Sequence, residues 1–262
     1  MDDKELFKNT AHYYAKYRAG YPPEFFKYVV RYFGLNGKGR LLDLGCGTGQ
    51  LTIPFAKHFE EVIGLDPEQG MLDEARNQAE KANIKNVKFV LRKAEEIADD
   101  LGIFRLTTMG SSFHWMKQAE VLQKVYNQIE KGGGVVIVSD SSSPWRDKTE
   151  KWKEERKEIV QKYLGEKRRA GNAFYSEPKE KFEDLLNASP FGRYEEWTHD
   201  YVRTWTLEAA INFLYSTSFA SRRLFGNKLK DFEQELRTEL LKIEPNGVFK
   251  EQVRLQTLLA RK

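Results

Sequence analysis

Residues 41–50 read LLDLGCGTGQ, an apolar run interrupted by Asp43 and followed by glycines at 45, 47 and 49. A backbone without side chains at Gly45, Gly47 and Gly49 can bend tightly and let a ligand approach the main chain. The flanking sequence sets this turn in an α/β frame. Between residues 40 and 140, strand-like and helix-like patterns alternate, as in a parallel sheet covered on both faces. RLLDLG (40–45) reads as a first strand, and 49–59 as the next helix, bent at Pro54. EVIGLD (61–66), VKFVLRK (87–93), FRLTTMG (104–110) and VVIVSD (135–140) read as further strands. The intervening 70–84 is an amphipathic helix, and 117–134 a helix stopped by Gly132–Gly134.

Beyond Asp140 the alternation breaks down. Residues 141–145 read as a loop, and 147–164, 178–189, 206–218 and 228–243 as helices. Residues 194–206 alternate apolar and polar side chains, as a half-exposed strand does, and 248–262 reads as a last strand. The expectation is one domain, 1–262. It divides into an N-terminal lid segment (1–34), a cofactor-binding core (35–140), and a cap with edge strands (141–262).

Composition narrows the classes. With 262 residues, 31% charged and 40% hydrophobic, the chain suits a soluble globular protein with a substantial core. No apolar stretch is long enough to span a bilayer, and MDDKELFKN lacks the pattern of a secretion signal. A single cysteine, Cys46, cannot form an internal disulfide. These features point to the cytoplasm and to no membrane partner. Net charge is +4, and residues 146–170 hold ten basic and six acidic groups. Such a segment suits a nucleic-acid patch, but its interleaved signs fit a solvated helix face better. Nucleic acid is therefore the disfavoured partner.

A dinucleotide turn, G-x-G-x-x-G, would require its third glycine where Gln50 stands. The spacing here is instead D-x-G-x-G-x-G, counted from Asp43. Asp66 closes the second strand 21 residues after Gly45, a distance at which an acid can accept from both ribose hydroxyls. LRKAEEI (91–97) follows the third strand, GSSFHWM (110–116) the fourth, and a triple glycine (132–134) precedes the fifth. This order of motifs resembles the class I S-adenosylmethionine-dependent methyltransferases over about residues 1–140. FKNTAHYYAKYRAGYP (7–22) together with SSFHWM is similar to their small-molecule branch that includes trans-aconitate methyltransferases.

The resemblance implies a Rossmann-like, doubly wound, mostly parallel seven-stranded sheet with a helical cap inserted in the C-terminal half. It also implies S-adenosylmethionine as cofactor. The nucleoside would lie over Gly45, Gly47 and Gly49 with Asp66 at the ribose, and Asp43, Cys46, Pro67 and Met71 would also be among the cofactor-binding residues. Ala94 and Glu95 would face the adenine, Ser111 and Trp115 would border the site, and Tyr14 and Arg18 would lie near the methionine end. For Glu95 the plain alternative is a helix-start acid favoured by the dipole.

Methyl transfer from a sulfonium needs alignment and exclusion of water rather than a metal. The histidines at 12, 58, 114 and 199 show no paired ligand spacing, so no metal is expected. Aromatic faces stabilise such cations, and Trp115, Phe113 and N-terminal tyrosines are candidates for that wall. Core packing is the alternative for each. His114 is the candidate general base, needed for a hydroxyl or amine acceptor and unnecessary for a carboxylate. The expected acceptor is a small anionic or polar molecule. Arg146, Arg168, Arg169, Arg203, Arg222 and Arg223, with Trp145, Tyr175 and Tyr215, are candidates to hold it.

Overall fold

The structure, a computed structural model, describes residues 6–140, 150–176 and 180–262. It opens with helices α1 (Ala11–Tyr17) and α2 (Pro23–Phe33). Pro23 suits the first turn of α2, where its missing N–H costs nothing, and Gly34 closes it with φ +61°. Phe25, Val29 and Phe33, four residues apart, form the buried stripe of this helix.

Then come β1 (Arg40–Leu44), α3 (Thr52–Phe55), β2 (Glu61–Asp66), α4 (Gln69–Lys81), β3 (Val87–Leu91), β4 (Phe104–Gly110), α5 (Gln118–Gln128) and β5 (Ile129–Asp140). The later elements are α6 (Lys151–Leu164), the two-residue strands β6 (Arg169–Ala170) and β7 (Ala173–Phe174), and α7 (Phe182–Ala188). The chain finishes with β8 (Glu195–Thr206), α8 (Leu207–Tyr215), α9 (Leu229–Ile243) and β9 (Val248–Arg261). Among the described residues, seven strands form one sheet in the order β3-β2-β1-β4-β5-β9-β8. β1 pairs in parallel with β2 and β4, β2 with β3, and β4 with β5. Leu41, Leu42 and Leu44 of β1 are fully buried, as a strand covered on both faces requires. This is the doubly wound α/β sheet that the sequence implies.

Three expected elements differ. The helix read over 49–59 is only the four-residue α3, followed by a 3-10 turn over Ala56–His58. Pro54 is the third residue of α3, and the chain leaves the 3-10 turn at the extended Phe59. The helix read over 117–134 ends at Gln128, and Gly132–Gly134 lie inside β5. A Cβ at Gly133 or Gly134 would meet the carbonyl oxygen of Arg105 at 2.3 Å or Ala260 at 2.1 Å, so these glycines admit neighbouring backbone. The helix read over 147–164 starts at Lys151, residues 147–149 lying outside those described.

The chain divides into two compact units. One comprises Gly20–Ser139, 177–199 and Leu255–Lys262; the other comprises 1–19, Asp140–Ser176 and Asp200–Arg254. The segment 1–34 is therefore split after Ala19, with α1 in the second unit and α2 in the first. The core of the first unit joins Leu42, Leu44, Ile63, Leu65, Phe104, Met109, Val121, Val125 and Leu258. The second unit builds its own core from α6, α8 and α9, with Trp152, Ile159, Phe213, Leu214, Phe232, Leu236 and Leu240.

Candidate active site

In the first unit the strand order reverses between β1 and β4, the switch point at which open α/β sheets take ligands beyond their carboxyl ends. The glycine turn leaves β1 there. Gly45, Gly47 and Gly49 have φ of +65°, +54° and +91°, a backbone region open to glycine and strained for other residues. Gly45 has a second reason: a Cβ on it would lie 2.5 Å from Ser112 Cβ. Ser112 Oγ donates to the Leu44 carbonyl at 2.7 Å and so ties the loop after β4 to the end of β1.

Asp43 is buried, and its two oxygens accept from Thr52 Oγ1 at 2.6 Å and Thr108 Oγ1 at 2.8 Å. It thus pins β1 to α3 and β4. Burial raises its pKa to about 6, against the lowering effect of the two threonine hydrogen bonds. Cys46 is buried with its Sγ against Gly64, where a Cβ would sit 2.9 Å from it. Burial pushes this thiol well above its ordinary value, with Asp66 and Asp43 adding to the shift. It acts as a small packing residue, not a reactive one.

Asp66, at the end of β2, accepts from the backbone N–H of Gly47 at Oδ2 and of Glu68 at Oδ1, both at 2.9 Å. Burial raises its pKa to about 6, opposed by those two hydrogen bonds. A carboxylate has about four acceptor positions, so each oxygen keeps capacity for a further donor. Asp66 thus both shapes the turn and can receive two hydroxyls, which fits the ribose of a nucleoside.

Pro67 is exposed after Asp66, while Met71 is buried on α4. Ala94 is buried at the start of a 3-10 turn over Ala94–Glu96. The Glu95 carboxylate accepts from the Lys117 backbone N–H at 2.7 Å, fastening this turn to the segment after β4. Ser111 adopts φ +51° and donates its N–H to the Val138 carbonyl at 2.8 Å. A left-handed serine at the end of β4 marks local strain beside the glycine turn. His114 and Trp115 follow in a 3-10 turn, half-buried, with ring centroids 4.7 Å apart. Phe113 is buried in the core and edge-on to Phe182, which is the packing alternative for that ring.

Tyr21 belongs to the N-terminal tyrosines that the sequence offers, without a signal that singles it out. A Cβ on Gly110 would stand 2.6 Å from the Tyr21 hydroxyl and 2.7 Å from Leu51 Cδ1. Tyr21 therefore reaches the carboxyl end of β4. The Tyr-Pro-Pro junction fixes the residue before α2.

The second unit holds the other candidates. Arg18 donates Nε to Ser216 Oγ at 2.9 Å, its guanidinium 4.9 Å from the Tyr14 ring centroid and 4.7 Å from that of Phe213. Of the candidate acceptor clamp, Arg203 binds Asp140, Glu251 and Tyr201, and Arg222 binds Tyr13 and Glu233. Arg223 donates to Asn172, Arg169 to the Leu164 carbonyl, and Arg168 lies over Tyr175 at 3.9 Å. Tyr215 donates to Glu233. Trp145 and Arg146 lie outside the described residues.

Comparison with known proteins agrees with this geometry. Residues 41–133 match the methyltransferase domain family. With its doubly wound sheet and glycine turn, the chain is similar to the class I S-adenosylmethionine-dependent methyltransferases. An uncharacterized methyltransferase-like protein of Schizosaccharomyces pombe is 26% identical over 218 residues, covering 83% of this chain and 79% of its own. The YcgJ protein of Bacillus subtilis shares the fold with a TM-score of 0.54 at 16% identity, over 91% of this chain and 99% of that one. Coclaurine N-methyltransferase, solved with N-methylheliamine and S-adenosylhomocysteine, superposes with a TM-score of 0.51 at 14% identity, over 91% and 72%. The chain spans about half the length of most curated relatives it matches.

Proposed function

We propose that the protein transfers a methyl group from S-adenosylmethionine to a small molecule, with a carboxylate as the preferred acceptor. The observation that carries the cofactor reading is Asp66. It is anchored to the Gly47 N–H at the β1/β4 switch point and keeps acceptor capacity for two hydroxyls. When bound, the cofactor supplies a methyl on a positively charged sulfur, and the C–S bond breaks with its electron pair kept by sulfur as the acceptor oxygen bonds to carbon.

The chain's own residues hold and screen. Gly45–Gly49 give the nucleoside a bare backbone, Asp66 orients its ribose, and the Ala94–Glu95 turn closes on the adenine. Pro67, Met71, Ser111 and Trp115 line the remainder. A carboxylate is already ionised at neutral pH, so His114 positions rather than deprotonates. Two observations support the small-molecule reading. The segment 7–22 resembles the small-molecule branch, and the basic segment turns part of its charge inward. Lys153 and Arg156 of α6 are buried in the second unit, Lys153 on Glu251 and Arg156 over Trp152. That use of basic residues leaves less charge for a nucleic-acid face.

Incubation with methyl-labelled S-adenosylmethionine and either a small-metabolite fraction or total RNA tests this. The expected label enters the metabolite fraction and is released as methanol by mild base, as a methyl ester is. Label retained on RNA would overturn the small-molecule reading. Base-stable label on a metabolite would overturn the carboxylate.

A further inference from the structure

The hairpin β6–β7 is too short to stand by itself, because a ladder of two residues per strand gains little in water. It is held by the segment after α8, and both lie within the second unit. The Gly171 N–H donates to the Ser218 carbonyl at 2.8 Å. Arg223 donates to Asn172 Oδ1 at 2.9 Å, and the Arg168 guanidinium lies 5.7 Å from the Phe219 ring centroid. The two sides of this seam, residues 165–176 and 216–228, carry six basic side chains and one acidic one. From α9, Glu233 offsets Arg222 at 3.4 Å.

Two features of the seam ask for an anion. The Arg168 guanidinium stacks on Tyr175, 3.9 Å from the ring centroid. Stacking occupies the flat faces of the group and leaves its N–H edge in plane, the geometry that takes a carboxylate through two parallel hydrogen bonds. Arg223, half-buried, adds a second guanidinium to the same seam. The other feature is Ser221, whose buried hydroxyl has no hydrogen-bond partner among the described residues. Leaving such a group unpaired is costly, and a ligand oxygen would remove that cost.

We propose that the seam between the β6–β7 hairpin and residues 216–223 binds a small polycarboxylate, with Arg168 and Arg223 on its carboxylates and Ser221 donating to one of their oxygens. Arg168 precedes the first strand of the hairpin, whereas Arg223 holds its turn residue Asn172. The two cations are thus offset along the hairpin, and an anion with more than one carboxylate engages both. The choice of carboxylate rests on the acceptor reading given above. The site itself rests on the charge excess, the stacked guanidinium and the unpaired hydroxyl.

Titration calorimetry of the full chain with tricarballylate, in the absence of cofactor, tests this. Saturable binding is expected, with acetate and inorganic phosphate weaker by about tenfold or more. Arg168→Gln and Arg223→Gln should each weaken tricarballylate by roughly tenfold or more. Arg237→Gln removes an exposed arginine of α9 paired with Glu208, and should leave the affinity within about twofold. Ser221→Ala separates binding from packing. It should weaken tricarballylate about three- to tenfold and yet raise the melting temperature of the free protein, because the unpaired hydroxyl is gone. Absence of saturable binding, or a loss in Arg237→Gln equal to that in the other two, would overturn the site. Acetate or phosphate binding as tightly as tricarballylate would overturn the polycarboxylate. If a glutamine variant does not fold, the lysine variant at that position, which keeps the charge but not the planar fork, must show the loss or the site falls. Methyl transfer is read by label and this site by heat without cofactor, so the two readings fail separately.

Discussion

The two units bury charge in opposite ways. In the first, Asp43 and Asp66 lie in the interior with neutral donors on their oxygens: threonine hydroxyls on one, backbone N–H groups on the other. Burial lifts both pKa values to about 6. In the second, the buried Lys153 and Glu251 and the largely buried Arg203 are matched by opposite charge. Lys153 is 2.9 Å from Glu251 and 3.3 Å from Glu150. Arg203 is 3.0 Å from Asp140 and 3.4 Å from Glu251, which also accepts from the Trp205 indole at 2.7 Å. A compensated network directs its groups toward one another and serves architecture. Acids held by neutral dipoles keep charge and lone pairs in reserve, and such acids stand beside the glycine turn. The contrast separates a scaffold from the proposed site.

The largest effect is expected in the second unit. Glu251→Ala leaves Lys153 and Arg203 facing a hole where a carboxylate stood, and breaking a buried pair in this way costs about 3–5 kcal/mol. Urea unfolding should show a correspondingly lower midpoint. A loss below about 1 kcal/mol would mean that the network is not the compensated cluster described.

A middle-sized effect is expected at Asp66. On the proposed reading, Asp66→Ala removes acceptors for the ribose, a loss typical of about 1.5–3 kcal/mol, or roughly ten- to a hundredfold in affinity for S-adenosylmethionine. Its pH dependence sharpens the comparison. With a folded pKa of about 6, Asp66 is ionised at pH 7 and gains a proton as pH falls through 6. Binding that needs the carboxylate should then weaken from pH 7 to pH 5 in the parent protein. That pH dependence should be absent in Asp66→Asn.

Much of this contrast was legible in the sequence, and part of it was not. The buried apolar runs of β1, β2 and β4 and the glycine turn stand out because a parallel strand and a tight turn are local patterns. The ends of α3 and α5 differ from what the sequence pattern predicts. In place of one long helix bent at Pro54 the chain forms α3 and a 3-10 turn, and Gly132–Gly134 serve close strand packing instead of capping α5. The interleaved charges of α6 suit a solvated face. Lys153 and Arg156 turn inward there because Glu251, Trp152 and Phe213 receive them, and two of those partners are far away in sequence. Tyr21 is not singled out for the same reason, since only the tertiary fold brings it to Gly110. The hairpin β6–β7 has two residues per strand, too few for any periodicity.

The smallest effect is expected at Asp43. In Asp43→Asn, a threonine hydroxyl can rotate to accept from the new amide, so stability at pH 7 should change by about 1 kcal/mol or less. The sign with pH is distinctive. A carboxyl whose folded pKa is raised holds more protons folded than unfolded between about pH 4 and 6, so its contribution to stability is greatest in acid and declines as pH rises. The parent should therefore gain stability relative to Asp43→Asn as pH is lowered from 7 to 5, measured by unfolding at each pH. A gain on raising the pH would reverse the assignment of Asp43 as a carboxyl destabilised by burial.

The central claim, that the turn at Gly45–Gly49 with Asp66 holds the nucleoside of S-adenosylmethionine, is tested most directly by calorimetric titration of the unmodified protein with three ligands. S-adenosylmethionine and S-adenosylhomocysteine are each expected to bind at one site per chain, and NAD is expected to give no saturable heat. Tight binding of NAD with no binding of either methionine nucleoside would contradict the account.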